Sequence, residues 1–337
     1  MSELHVLFTA PQGKTREAIL ARGRDVIRIE AEALGAMAEV LDDRFVDACE
    51  LVLGATGRVV ITGMGKSGHV SRKLAATFAA TGTPALFLHP AEAAHGDLGV
   101  LVPGDVLIVL SNSGNTSELR AVLAHARATV IRIIGIAARA PSMVIDQADV
   151  ALLLPSRREA CAANVAPTTS TALQMAMGDA IAMSVMDMRG VTLGNLRQWH
   201  PGGSIGLRLT PIAELMHGVE HLPLVGTGTG MSEVISVITQ GRFGLAGVTD
   251  GHGQLVGVIS DGDLRRHFEE LGSACAADVM TRNPCSIPAD MMAADALMML
   301  NDAKITAAFV LNRLNAAQAN RPIGIIHMHD LLNYGLE

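Results

Sequence analysis

The chain has 337 residues, 49% hydrophobic, 18% charged and only 3% aromatic, with a formal net charge of −7. A single core rarely grows to that length, so two or three domains with aliphatic interiors are expected. The acidic balance excludes a global basic field for a nucleic-acid backbone or an anionic membrane, so local groups must hold any phosphate-bearing ligand.

The cysteines Cys49, Cys161, Cys275 and Cys285 are scattered and form no Cys-x-x-Cys pair. Neither a zinc knuckle nor a redox motif is written here, and reduced thiols of the cytosol are expected. No segment approaches the ~18 consecutive apolar residues of a membrane helix, and residues 1–14 lack a signal-peptide pattern. A cytoplasmic protein without a membrane partner is the expectation.

In chain order, residues 15–53 carry apolar positions at three- and four-residue steps (Ile19, Val26, Ile29, Leu34, Met37, Val40, Leu41, Val52), which predicts a helical preface. Short apolar runs follow at 58–62, 85–88, 106–110, 130–136 and 150–154, each read as a buried strand. Helical patterns lie between them at 67–80, 116–126 and 141–147, and a longer one at 169–188. Alternating strands and helices predict a doubly wound parallel five-stranded α/β sheet with its ligand at the carboxyl ends of the strands. Trp199-His200-Pro201-Gly202-Gly203 reads as a domain edge.

Beyond that edge the chain repeats itself. Glu214-Leu215-Met216 matches Asp278-Val279-Met280, and Gly257–Leu264 matches Gly324–Leu331, with a small insertion in the polar loop 312–321. The predicted segments are a preface at 1–54 packed on the sheet domain at 55–206, then repeats at 212–270 and 276–337.

Chemistry concentrates in the loops after the strands. Gly63-Met64-Gly65-Lys66-Ser67-Gly68 satisfies G-x-G-x-x-G between a strand and a helix. A dinucleotide site also needs an acid about 20 residues on, at the end of the second strand. That strand ends at Leu88-His89-Pro90, with Glu92 beyond it, and a P-loop fails because Val60 stands where glycine is required. What remains is a glycine turn for close ligand approach at Gly65 and a point charge on Lys66, whose bland alternative is a solvated lysine at a helix start.

Ser111-Asn112-Ser113-Gly114-Asn115-Thr116-Ser117-Glu118 places four hydroxyls and a glycine between a strand and a helix. The pattern predicts an anion cradle, since one helix cap needs fewer hydroxyls. His89, Glu92, His95 and Asp97 follow the second strand, and Arg157-Arg158-Glu159-Ala160-Cys161 follow the fifth. With Glu118 and His200 they supply carboxylates and imidazoles for proton transfer. His89, His95 and Asp97 match no standard zinc spacing, so no metal is expected.

Taken together, residues 57–206 resemble the sugar isomerase (SIS) domain of the arabinose-5-phosphate isomerase family, through GMGKSGH, TGTPALFLHPAEAAHGDLG, SNSGNTSE, REAC followed by APTTST, MGDA and HPGG. The repeats resemble the tandem cystathionine β-synthase (CBS) motifs, an α+β module that this family carries behind its SIS domain. The resemblance implies cofactor-free interconversion of D-arabinose 5-phosphate and D-ribulose 5-phosphate, feeding Kdo synthesis, in a homotetramer. It places the catalytic positions on Lys66, Glu118, Glu159 and His200, with His95 close by. The phosphate and substrate contacts fall on Gly65, Ser67, His95, Ser111, Asn112, Ser113 and Thr116. In the repeats, Ser260, Asp263 and Asp330 are the expected contacts for an adenine nucleotide or nucleotide sugar, and His327 stands where Ser or Thr is usual.

The sequence departs from the family pattern at Asn115, often an acid, and at Ala162-Ala163-Asn164-Val165, often Pro-Leu-Gly-Leu. The chemistry implied is ring opening by His200, proton transfer through an enediolate by Glu159 or Glu118, and oxyanion or phosphate stabilisation by Lys66. Two rivals share the fold: an isomerase of another sugar phosphate, and a non-catalytic phosphosugar sensor. The mixed-charge preface, unlike a basic helix-turn-helix, argues against the sensor. The repeats have a rival reading as a structural pairing module.

Overall fold

The computed structural model describes residues 15–201, 204–312 and 320–335. Internal contacts divide the chain between Thr192 and Leu193 into two units. Glycines Gly202 and Gly203 of the expected domain edge, and most of the polar loop 312–321, lie outside the described residues.

The first unit opens with α1 (Arg16–Ala38) and α2 (Asp43–Leu53). The preface is thus two helices, because each carries its own N-cap. The Thr15 hydroxyl accepts from Ala18 N–H at 3.2 Å and the Asp42 carboxylate from Arg44 N–H at 3.1 Å. Strands β1 (Val59–Gly63), β2 (Ala85–Leu88), β3 (Val106–Leu110), β4 (Arg132–Ala137) and β5 (Val150–Leu153) form one parallel sheet in the order β2-β1-β3-β4-β5.

Side-chain alternation sorts this sheet into two buried faces. Val59, Ile61, Ile108 and Ile134 pack on α2, α3 (Gly65–Ala80) and α7 (Thr169–Met188), through Val52, Leu74, Phe78, Leu173, Met177 and Ile181. Val60, Leu107, Val109 and Ile133 face α5 (Leu119–Ala128) through Val122 and Leu123. Burial on both faces explains why the central strands read as continuous apolar runs. Gly178 of α7 lies against Leu74 of α3, where a Cβ would collide, and Lys73 pairs with Asp179 beside it at 2.5 Å. Two short helices, α4 (Pro90–Ala93) and α6 (Met143–Asp146), follow β2 and β4.

The strand order reverses between β1 and β3. In open parallel sheets a crevice opens at such a switch point, outside the carboxyl ends of the strands. The loops after β1 and β3 therefore flank it.

The second unit starts with α8 (Leu193–Trp199) and α9 (Ser204–Arg208) and then runs twice through strand, helix, two strands and helix. The first pass is β6 (Leu224–Gly226), α10 (Met231–Gly241), β7 (Leu245–Thr249), β8 (Leu255–Ser260) and α11 (Asp261–Arg266). Next come α12 (Ala276–Val279) and β9 (Thr281–Arg282), which pairs with β8. The second pass is β10 (Ser286–Pro288), α13 (Ala293–Asp302), β11 (Ala307–Leu311), β12 (Pro322–His327) and α14 (Met328–Asn333). Each pass pairs its first two strands parallel and the next two antiparallel.

The repeats are also exchanged. Met216, near the start of the first repeat, covers Gly324 of the second, while Met280, near the start of the second, covers Gly257 of the first. Only a residue without a Cβ fits beneath each methionine. The architecture is the one expected: a doubly wound parallel sheet followed by an α+β tandem repeat.

Candidate active site

The β1 loop brings the chain into α3 with Gly65 at φ +59° and Lys66 exposed in the first turn. The N-cap Met64 makes no side-chain capping bond to the N–H groups of that turn. Ser67 is half-buried and its carbonyl accepts from the Ser71 hydroxyl at 2.8 Å.

After β2, His89 precedes α4 and its Nδ1 is buried without a hydrogen-bond partner among the described residues. His95 is exposed between α4 and the short 3-10 turn that begins at Asp97. Among the described residues no three His, Cys, Asp or Glu side chains gather in a metal-binding arrangement.

The β3 loop folds on itself. The Ser111 and Thr116 hydroxyls lie 2.8 Å apart, Gly114 N–H donates to Ser111 Oγ at 3.1 Å, and Asn115 N–H donates to Ser113 Oγ at 3.3 Å. Gly114 takes φ +69° and packs so tightly on Ser142 that no Cβ fits. Because these hydroxyls bind within the loop, α5 starts at Leu119, three residues later than the sequence pattern suggests. Glu118 is exposed at its N-cap. The Ser117 hydroxyl donates to its carboxylate at 2.8 Å, and this bond, with one from its own backbone, lowers its pKa.

Glu159 is placed quite differently. Its Oε2 accepts from Thr168 N–H at 2.8 Å, Thr168 Oγ1 at 3.2 Å and Ser170 N–H at 3.2 Å, so it caps the N-terminus of α7 from a distant loop. Burial works to raise its pKa. The bonds from Ser170 and Thr168 outweigh that and hold it below the usual carboxylate range. Asn112 of the β3 loop and Glu159 of the β5 loop line one cavity of about 270 Å³, with Arg139, Arg157, Asn164 and Ser170 also in its wall.

Lys66, Ser67, the 111–118 loop, His95 and Glu159 thus all follow carboxyl ends of strands in one sheet. His200 lies in the second unit, at the end of α8, with its ring Nδ1 2.7 Å from the Leu196 carbonyl. Sequence reading assigned no task to Arg139, Asn164, Thr168 or Ser170. The hydroxyls at 168–171 were a visible signal that the start of α7 needs an acceptor, but not of which carboxylate supplies it.

In the repeats, Asp263 accepts from Ser260 N–H at 2.8 Å, Ser260 Oγ at 2.6 Å, Arg266 at 2.5 Å and Thr281 Oγ1 at 3.2 Å, in the wall of a cavity of about 590 Å³. Burial works to raise its pKa, and the bonds from Ser260 and Arg266 lower it overall. Asp330, in a separate cavity of about 720 Å³, lies 3.0 Å from His217 Nε2 and accepts from His327 N–H at 3.2 Å. Burial, then the charges of His329 and His217, lower the pKa of His327.

Comparison with known proteins agrees with this geometry. The SIS domain model matches residues 53–184, and the CBS domain model matches 225–270 and 276–337. The arabinose 5-phosphate isomerase KdsD of Yersinia pestis is 38% identical over 318 residues, covering 93% of this chain and 95% of that protein. Its namesake in Pseudomonas aeruginosa is 40% identical over 314 residues, covering 92% and 95%. The chain belongs to the arabinose 5-phosphate isomerase family.

A further similarity is to the solved structure of E. coli CFT073 c3406 in complex with arabinose 5-phosphate, with a TM-score of 0.54, 31% identity, and coverage of 56% of this chain and all of that one. Both departures from the family pattern noted in the sequence have a definite backbone setting here. Asn164 takes φ +54° where the pattern has glycine, and asparagine is among the side chains that tolerate this region. Asn115 Oδ1 accepts from Met143 N–H at 2.9 Å, a role an aspartate would fill equally.

Proposed function

We propose that this protein interconverts D-arabinose 5-phosphate and D-ribulose 5-phosphate without a cofactor, through an enediolate. The observation that carries the reading is the match over more than nine-tenths of the chain to arabinose 5-phosphate isomerases, with Lys66, Glu118 and Glu159 on loops at one sheet edge. Isomerising a cyclic sugar phosphate needs a ring-opening acid–base group, a carbon base and a positive group at the enediolate oxygens. His200 serves ring opening and Lys66 the oxyanion. Gly65, Ser67, His95 and the Ser111, Asn112, Ser113 and Thr116 donors hold the substrate.

Of the two glutamates, Glu118 is the carbon base in this reading. Its exposed carboxylate carries one hydrogen bond from a neighbouring side chain and is free to reorient. Glu159, with three donors on one oxygen, acts as an oriented anion that braces the site. The product serves Kdo assembly, and the enzyme works in the cytoplasm as a homotetramer. The CBS repeats hold an adenine nucleotide or nucleotide sugar, with Asp263 and Ser260 facing one cavity and Asp330 the other.

NMR with ribulose 5-phosphate in heavy water tests the reaction, with glucosamine 6-phosphate and fructose 6-phosphate in parallel. Arabinose 5-phosphate carrying deuterium at carbon 2 supports the enediolate route. Saturable binding without conversion of any sugar sinks it in favour of a sensor. Calorimetry with AMP, ATP and nucleotide sugars tests the repeats, and absence of heat with all of them leaves a structural pairing module.

A further inference from the structure

The cavity beside Glu159 holds two arginines without an assigned task. Arg139 follows β4 and Arg157 follows β5, and both line the cavity with Asn112, Ser156, Glu159 and Ser170. Both are exposed, and neither side chain forms an ion pair or hydrogen bond among the described residues.

Two features of the cavity call for positive charge. First, the N-terminus of α7, which would attract an anion, is already filled by Glu159's own carboxylate. Second, of the 111–116 loop only Asn112 lines the cavity, and it brings an amide but no cation. A sugar-phosphate dianion entering here meets the Glu159 carboxylate, and like charges repel strongly at short range away from bulk water. Guanidinium groups offset this and match phosphate oxygens two at a time.

We propose that Arg139 and Arg157 bind the phosphate group of the substrate, adding charge to the uncharged donors of the 111–116 loop. The inference rests on the sugar-phosphate reading above and adds binding residues to it. The phosphate does not react, so it is held equally in ground and transition states. The arginines therefore govern KM rather than kcat.

The variants are R139A, R157A, R157K and R139A/R157A, with folding checked by circular dichroism because all lie on exposed loops. With ribulose 5-phosphate, KM is expected to rise about tenfold or more for each arginine lost, in line with a charged hydrogen bond, while kcat stays within about threefold. The inhibition constant of inorganic phosphate should rise in parallel, and R157K should recover only part of the loss. A double variant with KM and phosphate inhibition within about twofold of wild type overturns the proposal, as does a fall in kcat at unchanged KM, which would put the arginines at the enediolate.

Calorimetry with inorganic phosphate and ribulose 5-phosphate separates this from the reading it rests on. A wild-type protein that binds both but does not convert the sugar, and loses binding in the double variant, retires the isomerase and keeps the arginines. Active wild type with phosphate binding intact in the double variant retires the arginines alone.

Discussion

Asn164 Oδ1 accepts a hydrogen bond from the backbone N–H of Glu159 at 2.6 Å, while Asn164 itself sits in the left-handed region at φ +54°. One side chain thus closes the loop that carries Glu159. Glycine would keep the backbone but lose the bond, and alanine would lose both. The left-handed conformation costs a Cβ-bearing residue about 1–2 kcal/mol, and a hydrogen bond contributes about 1 kcal/mol. N164A is therefore expected to melt below N164G, with kcat reduced in both, as thermal melts and steady-state kinetics would read. Equal melting of the two variants would mean that the loop does not depend on this conformation.

The two glutamates should separate in their variants. E118Q is expected to lose about 10²–10⁴-fold in kcat with little change in KM, and to melt like wild type, because Glu118 is exposed. E159Q should lower both kcat and melting temperature, since the charge that caps α7 is gone. A thermally normal E159Q would remove the bracing role.

Proton linkage gives a third expectation. The folded pKa of Glu159 lies below its unfolded value, near about 4.3 for a free glutamate, because the bonds from Ser170 and Thr168 outweigh burial. Its stabilising contribution is fully present above the unfolded value and is lost as pH falls through the folded one. The melting difference between wild type and E159Q should be constant at neutral pH and shrink as pH falls through the folded value. A difference that grows on acidification would contradict the sign.

Cysteine reactivity should follow local hydrogen bonding. Cys161 Sγ accepts from Val165 N–H at 3.0 Å and Ala166 N–H at 3.1 Å, and the bonds from Ala166 and Val165 lower the thiol pKa. Cys49 is buried at 2% exposure, and burial raises its pKa despite a bond from Ser184. Iodoacetamide at neutral pH should label Cys161 well before Cys49, as peptide mass spectrometry would show. Alkylation should also lower turnover, because the sulfur anchors the loop two residues after Glu159. Comparable labelling of both thiols would refute this.

Much of the first unit is legible in its sequence. The apolar runs at 85–88 and 106–110 became β2 and β3 with the same limits, and the pattern at 169–188 became α7. Continuous apolar runs and long helical periodicities follow directly from burial, which is why they read well. Other strand ends shifted by at most two residues, and two larger departures fell at ends set by side-chain hydrogen bonds. Residues 15–53 divide because Asp42 supplies a second cap, and α5 starts late because Ser111, Ser113 and Thr116 bond within their own loop.

By itself the sequence determined the alternation of strands and helices, the strand-end loops that carry the polar residues, and the repeat, because each is a local pattern of a few to a few tens of residues. Tertiary structure alone decided that Glu159 caps α7 while Glu118 stays exposed, that Arg139 and Arg157 meet in one wall, and that Met216 and Met280 exchange between repeats. In each of these, residues far apart in the chain, or on separate loops, are brought together by packing. No periodicity encodes which of two glutamates will find a helix end and which will remain in water.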